Sequence, residues 1–196
     1  PAHGRVVLGA GLALSEVPAG LWQSTSGVPS GGQIAAITGD AQVMLPHWLA
    51  LIGDVAWGKK SYELSLRHGG TTYGQRQSIE ALSADVLAGL YRWVGGGHVY
   101  LGAGLAIQRV DVEFSRESVP TEFEIEDPIE VELGTHVGVS LGAGLVLPVA
   151  APVVAFGRFR HRLVTGVHEI EAGGARAERE VPVGGPELGI GLGVMF

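Results

Sequence analysis

Cysteine and asparagine are absent from this 196-residue chain, and lysine occurs only twice against eleven arginines. Without cysteine there are no disulfides, no thiol nucleophile and no thiolate metal site. Also missing is any apolar run near the roughly 18 residues that a membrane helix needs. Yet hydrophobic residues make up 46% of the chain and mean hydropathy is +0.28, so its apolar content must be spent in another geometry. Net charge is −7, with carboxylates concentrated between Asp111 and Glu132, which argues against a general nucleic-acid binder. One domain, 1–196, is expected at this length. No signal peptide is visible, as expected of an exported chain whose leader was removed before Pro1.

What is present is alternation. In the last ten residues, ELGIGLGVMF, Leu188, Ile190, Leu192, Val194 and Phe196 share one face, and Glu187, Gly189, Gly191, Gly193 and Met195 the other. A period of two is a strand. The same reading gives strands over about Gly4–Leu14, Ile34–Leu45, Trp48–Gly58, Ile79–Trp93, His98–Val110, Glu132–Leu147 and Val153–Leu163, eight in all. Long connections follow the first, third, fifth and seventh, over Ser15–Gln33, Lys59–Ser78, the acidic segment after Val110 and a stretch ending near Pro186. Short turns follow the others.

The segments LGAGLAL from Leu8, LGAGLAI from Leu101, LGAGLVL from Leu141 and LGIGLGV from Leu188 repeat one motif. A dinucleotide fingerprint would need a strand ending at the glycines and a helix starting there. Here the alternation runs straight through. A steric reading fits better: glycines on an inner face leave room for Tyr91, Tyr100, Phe156 and three arginines.

An aromatic carboxy-terminus behind alternating apolar residues, with long and short connections in strict turn, resembles the small OmpA/OmpX-type outer-membrane barrels over essentially the whole chain. The resemblance implies an all-β fold, an eight-stranded antiparallel up-and-down transmembrane barrel with short periplasmic turns and long extracellular loops. It implies that Leu188, Ile190, Leu192, Val194 and Phe196 form the signal read by the barrel-assembly machinery. It also implies contact with outer-membrane lipid and lipopolysaccharide. Polar faces bearing Asp40, Asp54, Asp85, Arg158, Arg160 and Arg162 agree with an inside-out barrel, in which these charges pair within the lumen. Trp48, Trp93 and Phe196 then fall at one rim and Trp57 at the other, as interfacial girdles do.

Three functions are compatible with such a barrel. In the first, it is a non-enzymatic anchor or docking unit for a partner protein or surface component. Val112 and Phe114, then Phe123, Ile125 and Ile129, alternate with acids, so the fifth and sixth strands are expected to continue past the bilayer as a hairpin with exposed apolar surface, or with a bulge that re-aims it. Apolar residues rimmed by charge mark a protein contact. The second is a narrow channel, against which stands an eight-stranded lumen just wide enough to be filled by side chains. The third is a lipid A acyl hydrolase: His161 and Glu187 are similar to that family's histidine and glutamate, but Leu163 stands where its serine nucleophile belongs. No cofactor is called for. The other histidines lack ligand spacing, and the acidic loop lacks a regular calcium array.

Overall fold

The structure, a computed structural model, describes residues 5–17, 32–68, 71–118, 130–172 and 175–196. Its strands are β1 (Arg5–Val17), β2 (Gly32–Met44), β3 (Leu49–His68), β4 (Thr71–Val94), β5 (Gly97–Ser118), β6 (Glu130–Ala150), β7 (Val153–Leu163), β8 (Thr165–Ala172), β9 (Ala175–Pro182) and β10 (Pro186–Met195). Eight of them close into an antiparallel barrel in the order β1-β10-β7-β6-β5-β4-β3-β2, and β8 and β9 form a separate two-stranded sheet. The first and last barrel strands make the closing seam, from Val7↔Met195 to Ser15↔Glu187. No described residue is helical, so the repeated glycine motif lies wholly in strands.

The barrel is inside out. Leu101 is 69% exposed and Ile190 72%, whereas Asp54 is 4% and Arg160 0% exposed. An apolar wall of this extent suits hydrocarbon, where every backbone polar group must be bonded internally and a closed ladder does that. The fold is therefore that of a membrane-spanning barrel.

Glycines make the filled interior possible. A Cβ on Gly9 would come within 2.5 Å of Phe156 Cε1, and one on Gly142 within 2.6 Å of Arg160 Nη1. A Cβ on Gly189 would lie 2.9 Å from Arg158 Nε, and one on Gly144 would enter the Tyr100 ring. The expected steric role of the repeat thus holds for these lumenal glycines.

Two expected loops are strand instead. The segment over Lys59–Ser78 is a hairpin extension of β3 and β4, paired as far as His68↔Thr71. Its period of two, Tyr62, Leu64 and Leu66 between Glu63, Ser65 and Arg67, is masked in the sequence by its polarity. The connection ending near Pro186 contains β8 and β9, paired from Thr165↔Pro182 to Ala172↔Ala175.

The fifth and sixth strands do run on, to Ser118 and from Glu130. Their register slips between Arg109↔Thr135 and Asp111↔Glu132, so Leu133 and Gly134 together oppose Val110. Gly134 has φ +74°, a left-handed value that glycine adopts without a Cβ penalty. This bulge brings Val112 opposite Val131, the re-aimed alternative of the two considered.

Candidate functional site: the lumenal charge belt and the projecting sheet

The lumen is filled in three layers. Toward the short turns, Val7, Met44, Ile52, Leu87, Tyr91, Tyr100, Val146, Val154 and Phe156 form a buried apolar plug. Within it His98 is a packing residue, its Nε2 2.9 Å from Gln42 Oε1 and its ring edge-on to Trp93 at 5.3 Å. Toward the hairpins, Ile34, Ala36, Ala56, Ile79, Val110 and Val183 are again buried and apolar. Beside them lies a small cavity of about 30 Å³ that also meets Ser15, Ser83, Gln108 and Arg162, room for a water molecule and little more.

Between these layers lies the belt. Asp40, Asp54 and Asp85 sit side by side on β2, β3 and β4, in direct register. Three carboxylates abreast would repel. They are met from the opposite wall by Arg158, Arg160 and Arg162, which alternate along β7, a spacing that puts all three on one face. Arg158 Nη1 donates to Asp40 Oδ1 at 2.6 Å and lies 3.3 Å from Asp54 Oδ1. Arg160 Nε donates to Asp54 Oδ2 at 2.7 Å, and its guanidinium lies over the Tyr100 ring, 5.6 Å from the centroid. Arg162 Nε donates to Asp85 Oδ2 at 2.8 Å. All six residues named from the sequence as lumen charges are brought together here.

A seventh completes the network. Glu187 Oε1 accepts from Arg158 Nη2 and Oε2 from Arg162 Nη1, both at 2.8 Å, and Ser15 Oγ donates to Oε2 at 2.7 Å across the seam. The sequence carried the signal, since Glu187 shares the face of Gly189, Gly191 and Gly193. The comparison with acyl hydrolases drew it toward His161 instead. The two are on opposite faces: Glu187 is 1% exposed in the lumen, opposite Arg160 in register, while His161 faces outward between Leu141 and Pro186. They form no joint site.

On the outer wall Leu188, Ile190, Leu192 and Phe196 are exposed, and Val194 is half-buried. Trp48 and Phe196 are exposed at the short-turn rim, whereas Trp93, on the face of Tyr91 and edge-on to His98, covers the lumen mouth there and does not join the outer girdle. Trp57 lies at the other, its Nε1 donating to Glu80 Oε1 at 2.9 Å. Of the residues expected in a partner-binding loop, Val112 and Phe114 lie on β5, opposite Val131 and Gln77 in register. Phe123, Ile125 and Ile129 lie outside the described residues.

No family model matches the sequence, and no curated protein matches it. Solved structures do. The chain is similar to the outer membrane protein OprG from Pseudomonas aeruginosa (12% identity, TM-score 0.63, covering 98% of this chain and 96% of that one). It is similar to Neisserial surface protein A (15%, 0.55, 97% of each chain). It is also similar to Ail, the attachment invasion locus protein of Yersinia pestis, in complex with the heparin analogue sucrose octasulfate (13%, 0.54, 100% of each). At such identities the likeness is one of fold, and that fold is the small eight-stranded outer-membrane β-barrel.

Proposed function

We propose that the protein is an integral outer-membrane anchor, non-enzymatic, that carries a docking surface on its projecting hairpins outside the cell. The observation that carries this reading is the division of the molecule: a lumen filled by two apolar layers around an ion-paired belt, under a sheet that continues well past the rim. Among the described residues the lumen is packed with side chains, which supports an anchor over a solute path and a functional surface at the hairpin end. Val112 and Phe114 on β5, with Phe123, Ile125 and Ile129 in the connecting segment, supply apolar contact within an acidic rim. The outer face of β10, ending in Phe196, serves as the segment recognised during assembly. Lipid and lipopolysaccharide meet the exposed leucines and the tryptophan girdles.

Co-purification from mild detergent tests the reading. The intact protein retains a stoichiometric companion, and a variant lacking Glu113 to Asp127 folds but loses it. Stable conductance of the purified protein in a planar bilayer would replace the anchor by a channel, and an altered lipid A mass on overproduction would replace it by an enzyme.

A further inference from the structure

The short-turn end of the barrel carries side-chain charge of one sign only. The turns after β2, β4 and β6 lie within residues 41–53, 86–110 and 133–168, stretches without aspartate or glutamate, and 1–15 and 188–196 have none either. Two arginines stand at this end. Arg5 is engaged at the lumen mouth, its guanidinium 4.7 Å from the centre of the Trp93 ring and its Nη1 3.7 Å from Met195 Sδ. Arg92 is exposed on the parity of Leu82, Val86 and Leu90, and so on the outer wall. Among the described residues it makes no hydrogen bond, ion pair or ring contact. Leu90 and Val94 on β4 and Val99 opposite it on β5 surround it with apolar surface.

The turn beside Arg92 is strained. His47 and Trp48 have φ +63° and +65°, left-handed values that a residue with a Cβ adopts only at a cost. The turn is pinned there: Leu45 N donates to Leu49 O and Tyr91 N to Trp48 O, both at 2.8 Å, and the Tyr91 hydroxyl donates to Leu45 O at 3.2 Å. Trp48 is thereby turned outward, 74% exposed, with His47 exposed next to it. Because Leu49 faces Leu90 and Trp48 meets Tyr91, the register sets the turn level with Arg92. Backbone strain of this kind persists where it serves a contact.

We propose that Arg92, His47 and Trp48 form a site for the phosphodiester of an anionic phospholipid in the leaflet on the short-turn side. A guanidinium offers a phosphate two parallel N–H donors, whereas the ammonium of a zwitterionic lipid already neutralises its own phosphate. With no carboxylate side chain nearby, nothing repels the anion. The acyl chains cover the exposed Leu49, Leu90 and Leu101, and Trp48 sits where chain meets headgroup. A free phosphate would make no use of that apolar surround. The hairpin rim differs, for there Lys59 lies 3.6 Å from Glu80 and Arg109 Nε donates to Asp111 Oδ2 at 2.9 Å, so these cations are answered within the protein.

The site rests on the membrane-barrel reading and is independent of the docking surface. The full protein is folded into vesicles of equal parts phosphatidylglycerol and phosphatidylcholine, extracted in mild detergent, and its retained lipids are counted by native mass spectrometry. The unaltered protein keeps phosphatidylglycerol in preference. Arg92→Gln lowers that preference about fivefold, the equivalent of one arginine at an anionic membrane surface. Arg109→Gln, at the other rim, leaves it unchanged. His47→Asn with Trp48→Gly, residues that accept left-handed φ, raises the denaturant midpoint yet weakens retention, which a merely structural turn would not do. Equal retention of the two lipids, or an unchanged ratio in Arg92→Gln, would overturn the proposal. Loss of the preference in excess inorganic phosphate would assign the guanidinium to a free anion, and a companion protein released by Arg92→Gln would assign it to a protein contact; either removes the lipid. All variants keep the gel mobility of the folded barrel, so failure here leaves the membrane reading standing, and loss of the companion on deleting Glu113 to Asp127 bears on the docking reading alone.

Discussion

Below the rim, eight strands share their hydrogen bonds around a closed circle; above it, among the described residues, β3 to β6 go on as a sheet. The two regions use the same backbone pattern with opposite chemistry. In the cylinder the outer face meets lipid and the inner face is packed, so the sequence can be apolar outside, glycine-rich inside, and charged where a partner is built in. In the projection the ladder of β2 and β3 stops at Ala36↔Gly58 among the described residues, and β3 beyond it carries Lys59, Lys60 and Arg67, side chains of the kind that commonly discourage uncontrolled strand pairing. Closure, more than composition, decides where charge can be buried and where it must stay in contact with water.

The sharpest way to break this contrast is to unpair the belt. Arg160→Ala takes from the buried Asp54 its 2.7 Å partner, with Arg158 left 3.3 Å away, a loss of about 3–5 kcal/mol. The denaturant midpoint of the barrel in lipid vesicles falls accordingly. Arg160→Met combined with Asp54→Leu restores most of it, since an apolar pair of similar volume needs no counter-charge. An unchanged midpoint for the single variant would mean that the belt is hydrated.

A smaller effect separates the inner face from the outer. Gly144→Leu drives a side chain into the Tyr100 ring and costs about 1–3 kcal/mol. The same change at Gly157, where an added Cβ meets nothing within 4 Å, leaves the midpoint unmoved, because that face looks into lipid. Equal costs at the two sites would contradict the inside-out assignment.

The smallest effect is confined to the projection. Gly134→Val places a β-branched residue at φ +74°, a local cost of about 1–2 kcal/mol. Limited proteolysis then cuts the β5–β6 extension faster while the membrane-embedded part stays resistant. Global unfolding of the barrel would show instead that the bulge belongs to the cylinder.

Much of the cylinder was legible because alternation, glycine repeats and short turns all report the same period. The span of β7 agrees with the alternation to the residue, since its arginines and aromatics leave no second parity open. The extensions of β3 and β4 were not legible as strand. Once a strand leaves the bilayer, neither face needs to be apolar, and Lys59 to Ser78 then has the composition of a loop. The β5–β6 extension was visible because acids alternate there with valine and phenylalanine, but its facing was undetermined until Gly134 set the bulge. In the belt, the six charges at strand centres stood out, whereas Glu187 did not, because it opens a strand whose interest lay at its other end. The pairing of β10 with β7, Glu187 opposite Arg160, brings its carboxylate between Arg158 and Arg162.

That position gives the belt a direction in time. Arg158 and Arg162 are joined through a carboxylate on β10, the neighbour of β7, and the hydroxyl that steadies it, Ser15, belongs to β1, the strand that closes the wall. The ion pairs form as β10 docks on β7, and the Ser15 hydrogen bond is added only when β1 meets β10, so sealing the wall sets the last bond of the lock. A nascent barrel halted before residue 187 would hold its arginines in place with the lock still open.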